Sequence, residues 1–147
     1  MTHSYSVTAA SAASPERVFD VLTHGATWPS WSPIDEFKPA GGGDPDGPQG
    51  VGAVRLFRTG RQVSREPIVE LVPARRFVYV NESPPWRHYR GVVDLAPSAA
   101  GGTLITWSGT FTPLTRGTGW FWRLFLTAFM RRMANGLAAY AAGPRPG

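Results

Sequence analysis

The chain has 147 residues, 42% of them hydrophobic, and no cysteine. That length suits one domain, residues 1–147, with a real core, whereas the missing thiols exclude a disulfide framework, a thiolate nucleophile and a cysteine-based zinc site. The formal charge of +5 rests on fourteen arginines and the single Lys38, scattered singly or in pairs with no dense stripe to track phosphates, so nucleic acid is not an expected partner.

The opening segment MTHSYSVTAASAAS lacks both a basic start and a continuous apolar run, so a secretory signal is not expected and a cytoplasmic location is. Within it, residues 3–9 alternate well enough for a first strand. Ser14-Pro15-Glu16 then sets up a helix start: the serine can cap, proline fits the first helical position, and the glutamate meets the positive end of the dipole. Val18, Phe19, Val21 and Leu22 form the apolar side of a short helix ending near Gly25. The stretch TWPSWSP, 27–33, is too rich in proline for a long element and predicts a second short helix or turn, with two tryptophans to bury.

Residues 40–50, AGGGDPDGPQG, read as a loop. Beyond it, β-rich segments at 51–58, 61–72, 76–83, 87–96 and 103–112 are joined by short links, the pattern of an antiparallel meander. Alternation predicts Tyr89, Gly91, Val93 and Leu95 on the inner face of one strand, Ile105, Trp107, Gly109 and Phe111 on the next, and Phe77, Tyr79 and Asn81 on a third. The segment RQVSREPIVELV does not resolve this way, because Arg65, Glu66 and Glu70 break either face. These charges read as a solvated salt-bridge face, with one of Arg65 or Glu66 pointing inward as the alternative.

A last helix is expected from about 118 to 142, closed by GPRPG. Its stripe of Trp122, Phe125, Phe129, Met133, Leu137 and Tyr140 would face the sheet. Arg123 and the Arg131-Arg132 pair interrupt the apolar run and exclude a membrane span. At ~1.5 Å per residue this helix is ~36 Å long, the one element able to cross and cover the sheet.

Other chemistries find no support. Lys38 does not follow a glycine-rich run, Gly50-Val51-Gly52 lacks the third glycine of a dinucleotide fingerprint, and no G-x-S-x-G elbow occurs. His3, His24 and His88 are widely separated, so neither a metal nor a cofactor is expected.

The ordered set of ASPERVFDVLTHGATWPSWSP, VGAVRLF, VPARRFVYV, YRGVVDLAP and GGTLITWSGTF resembles the START/Bet v 1-like helix-grip proteins, in particular their polyketide cyclase/dehydrase and lipid-transport group. The resemblance spans nearly the whole chain. It implies an α+β fold: a curved antiparallel sheet of six to seven strands wrapped around a long C-terminal helix, with two short helices after the first strand. It also implies an internal cavity for a hydrophobic small molecule, a lipid, polyketide or aromatic metabolite. Other outcomes of the same fold are a cyclase, aromatase or dehydratase, and a membrane-surface or interaction module built on the basic aromatic helix. The expected ligand-binding set is Tyr79, Tyr89, Trp107, Phe111, Phe125, Phe129, Met133 and Arg65. Trp120, Phe121 and Trp122 belong either to the cavity mouth or to a homodimer contact.

Overall fold

The computed structural model describes residues 1–143; the rest of the closing GPRPG lies outside them. Strand β1 (His3–Ser11) is followed by helices α1 (Pro15–Thr23) and α2 (Trp28–Trp31). Strands β2 (Glu36–Pro39), β3 (Val54–Thr59), β4 (Gln62–Val72), β5 (Arg76–Val80), β6 (Trp86–Pro97) and β7 (Thr103–Pro113) come next, and helix α3 (Gly119–Ala142) closes the order. The strands form one seven-stranded sheet in the order β1-β7-β6-β5-β4-β3-β2. Every pairing is antiparallel. This is the helix-grip architecture that the order of elements implies.

Local chemistry sets the ends of α1 as its sequence suggests. The Ser14 side chain accepts a hydrogen bond from the Arg17 backbone N–H at 3.2 Å, with Pro15 in the first turn. The two tryptophans of α2 are buried and pack against each other with tilted rings, 4.8 Å between centroids. The Trp28 indole N–H is satisfied by the Leu22 carbonyl at 3.1 Å, as a buried indole requires. The alternation of β6 and β7 puts Tyr89, Val93, Leu95, Ile105, Trp107 and Phe111 in the core.

Three expectations need correction. The strand expected at 51–58 begins only at Val54, and a short strand, β2, pairs with it where no strand was expected. In β4, the buried Ile68 fixes the parity, so Ser64 and Glu66 share the inner face and Arg65 points out. A register shift between Ile68 and Glu70 then resets the alternation, which is why neither face reads cleanly in the sequence. In α3, the side packed into the core is Leu126, Met130, Met133, Ala134, Leu137, Ala138 and Ala141. The helix is thus rotated from the expected stripe, which left out every one of these except Met133 and Leu137.

That rotation has a steric cause. The nearest sheet partners of α3 are β1 and β7, and close backbone approach favours small or unbranched side chains over large rings. Trp122, Phe125 and Phe129 are displaced to the flank facing β3–β6, where the helix stands off the sheet.

Candidate functional site

The space under that flank is a cavity of about 320 Å³. The sheet supplies Phe57, Ser64, Glu66, Tyr79 and Tyr89, and Asn81 follows the end of β5; Trp28 and Ile34 also line the space. The lid is α3, through Trp122, Phe125, Leu126, Phe129, Met130 and Met133. The mouth lies where exposed side chains join the wall, at Gln62, Pro84 and Phe125. There the Gln62 amide donates to the Pro84 carbonyl at 2.8 Å, tying the β3–β4 turn to the β5–β6 loop.

Behind Tyr79 and Tyr89 lies a hydrogen-bonded layer. Trp107 Nε1 donates to Tyr79 Oη at 3.1 Å, and the Tyr5 and Tyr89 hydroxyls are hydrogen-bonded to each other. Burial holds all three tyrosine hydroxyls above their usual ionisation range, so they act as neutral donors and acceptors. Two glycines make room for these rings. A Cβ on Gly91 would meet the Tyr79 ring at 2.3 Å, and one on Gly109 would meet the Tyr5 ring at 2.5 Å.

One charged pair sits among these aromatic groups. Arg55 on β3 is directly opposite Glu66 on β4. The Arg55 side chain is completely buried, with its guanidinium 4.5 Å from the Trp28 ring, 5.0 Å from Phe57 and 4.8 Å from Phe77. Nη1 donates to the Leu22 carbonyl at 2.7 Å, while Nε and Nη2 have no partner among the described residues. Burial lowers its pKa to about 10 despite the nearby Glu66 and Tyr79, so it is a cation at neutral pH. Burial also pushes the Glu66 carboxyl up to about 7, against the opposing pull of Arg55. At neutral pH Glu66 is therefore divided between acid and carboxylate.

Of the eight residues expected to bind ligand, the structure brings Tyr79, Tyr89, Phe125, Phe129 and Met133 to the cavity wall. Trp107 and Phe111 are buried and lie outside that wall. Arg65 is a correction: it faces outward, half-exposed, and pairs with Glu82 at 3.1 Å. Arg55 is not marked by the sequence as an inward residue, and Glu66 is inward there only as an alternative to Arg65. A signal existed: in VRLF, Arg55 has the parity of Phe57, so an inward phenylalanine carries the arginine inward with it. Among the described residues, no group of three or more His, Cys, Asp or Glu side chains could hold a metal ion.

Trp122 and Phe125 belong to the mouth, whereas Trp120 and Phe121 stand outside it, 64% and 48% exposed. Phe121, Phe125 and Phe129 stack in sequence, with centroid spacings of 6.5 and 5.8 Å, from the outer surface to the cavity. No helix among the described residues is long and apolar enough to cross a membrane.

Residues 2–142 match the family described as polyketide cyclase / dehydrase and lipid transport. No curated protein matches the chain in sequence. Among solved structures, a START superfamily protein from Mycobacterium smegmatis superposes with a TM-score of 0.78 at 14% identity, covering 95% of this chain and 97% of that one. A protein from Nitrosospira multiformis gives 0.72 at 23% identity, with coverages of 93% and 94%. Ara h 8.0201 gives 0.70 at 14% identity, with coverages of 96% and 98%. At these identities the likeness is one of fold.

Proposed function

The chain belongs to the polyketide cyclase / dehydrase and lipid transport family, and from that membership we propose that it binds one hydrophobic small molecule of two to three fused rings, or an equivalent chain, between sheet and α3. The observation that carries this reading is the cavity itself, with its aromatic and methionine wall and a few polar groups at the sheet side. Its volume of about 320 Å³ is at the low end for ligand pockets and roughly twice the ~150 Å³ that takes up a benzene. An apolar wall supplies affinity, and a small number of polar groups fixes orientation.

Filling the space tests the reading. Ser64 lies on the inner face of β4 and lines the cavity, so Ser64→Phe should place a ring where the ligand would sit. In native mass spectrometry the unaltered protein should carry one molecule of a bicyclic aromatic ligand per chain, and the variant should bind at least ~10-fold more weakly. Equal uptake by the two proteins would overturn the proposal.

The outer face of α3 favours a second reading, docking on an anionic lipid surface. Trp120, Phe121, Leu124 and Phe125 are exposed together beside the mouth. No aspartate or glutamate follows Asp94 in the sequence, while Arg116, Arg123, Arg131 and Arg132 do. A two-fold dimer through this face would set arginines against arginines, whereas an anionic bilayer accepts both the rings and the charge. Co-sedimentation with phosphatidylglycerol vesicles at low salt should occur and be lost in Trp120→Ser/Leu124→Ser. Absence of binding, or a dimer dissolved by the same substitutions, would refute it.

A further inference from the structure

The inner polar end of the cavity carries a group that the binding reading leaves unused. Glu66 lines the cavity, half-buried, and no hydrogen bond or ion pair holds its carboxyl among the described residues; burial and the opposing pull of Arg55 on the neighbouring strand act on it. It shares the wall with Tyr79 from β5 and Tyr89 from β6, with the polar Ser64 and Asn81, and with Met130 and Met133 from α3. A half-buried carboxyl that faces a mostly apolar space and lacks a protein partner is left to bond whatever occupies that space.

Arg55 does not fill this role. Its guanidinium is packed against Trp28, Phe57 and Phe77, its one hydrogen bond goes to the Leu22 carbonyl, and it is not part of the cavity wall. The charge nevertheless matters for the class of ligand. With Arg55 fixed as a cation, an ionised Glu66 balances it, so a second cation in the cavity gains little. A neutral Glu66 offers one O–H donor and one acceptor oxygen.

We infer that Glu66 is the polar anchor of the cavity and that, as a neutral acid, it donates a hydrogen bond to the carbonyl or hydroxyl oxygen of an uncharged ligand. The inference rests on the cavity-binding reading and deepens it by naming the ligand class: a compact apolar ketone, enol or alcohol with its oxygen directed at β4. Affinity then follows the neutral fraction of Glu66 and declines as the carboxyl ionises. The other titratable groups that face Glu66 do not ionise in the same range. Arg55 from β3 loses its proton only at about 10, and Tyr79, Tyr89 and, behind them, Tyr5 from β1 are all held above their usual range by burial. His3, His24 and His88 are absent from the cavity wall.

The test uses α-tetralone, a bicyclic ketone without an ionisable group, and tetralin, its hydrocarbon counterpart. Both are titrated against the full chain by calorimetry between about pH 6 and about pH 9, with circular dichroism to verify folding; the affinity for the ketone should fall ~10-fold or more across that interval. In Glu66→Gln, whose amide N–H donates at every pH, the affinity should stay within ~3-fold of the low-pH value throughout. Glu66→Leu should bind the ketone ~3- to 10-fold more weakly than the unaltered protein at low pH and show no pH profile. A flat profile in the unaltered protein, or tetralin bound while tetralone is not, overturns the anchor but leaves the cavity reading intact. If neither compound binds any of the three proteins, the cavity reading and this inference fall together.

Discussion

Arg55→Ala should destabilise the fold by about 3–5 kcal/mol, because the change empties a fully enclosed site and removes a cation packed against three rings. The Leu22 carbonyl is not orphaned, since it keeps the Trp28 indole as a donor. The loss falls mainly on packing and on three guanidinium–ring contacts, each worth ~0.5–2 kcal/mol. Urea denaturation reads the change. The remaining Glu66 determines how it varies with pH. Burial raises the folded-state pKa of Glu66 to about 7, above the ordinary carboxylate value of 4.5. Keeping this carboxyl neutral therefore favours the folded state below the ordinary value, and that advantage disappears as pH rises through about 7.

Without the Arg55 cation the carboxyl becomes still harder to ionise. Arg55→Met, which retains most of the volume, should then be better tolerated below about pH 6 than at about pH 8. At the higher pH, Arg55→Met/Glu66→Gln should recover ~1–3 kcal/mol relative to the sum of the single changes. Strict additivity would mean that the two groups do not interact.

The second large effect is expected on α3. A glycine inside an exposed helix normally gains ~1 kcal/mol on replacement by alanine. Gly136 should behave in the opposite way, losing about 2–3 kcal/mol or more, because a Cβ there would lie 1.9 Å from the Trp31 carbonyl oxygen. That oxygen belongs to the backbone and cannot swing aside. Helix α3 would have to lift off α2, loosening Trp31 from Trp28, which lines the cavity. Asn135→Ala, one residue away on an exposed position of the same helix, serves as the control and should be neutral or stabilising. A Gly136→Ala protein as stable as the original would show that the two helices are not in this contact.

The elements that can be read from the sequence are those whose signal is local. Ser14-Pro15-Glu16 specifies a helix start by capping chemistry alone, and the alternation of β6 and β7 survives because their pairing is regular beyond the shift at Trp86–His88. The misread features depend on contacts made far away in the chain. The inner face of β4 follows from Ile68 and from a shift in its pairing with β5, which no window of β4 alone reveals. Rotation of α3 is set by close approach to β1, more than a hundred residues earlier, which selects Ala134, Ala138 and Ala141 over the larger rings. The same rotation moves Trp122, Phe125 and Phe129 from the core onto the cavity. The inward position of Arg55 is hard to read because an isolated arginine usually signifies surface, and only its shared face with Phe57 argues otherwise.

The most direct measurement of ligand binding in the cavity is a backbone amide NMR titration of the full chain with α-tetralone below about pH 6, where the Glu66 acid is neutral. A saturable one-to-one response is expected, with the largest shifts at Ser64, Glu66, Tyr79, Leu126, Met130 and Met133, all residues of the cavity wall. No saturable response, or shifts confined to Trp120, Phe121 and Leu124 on the outside of α3, would contradict it.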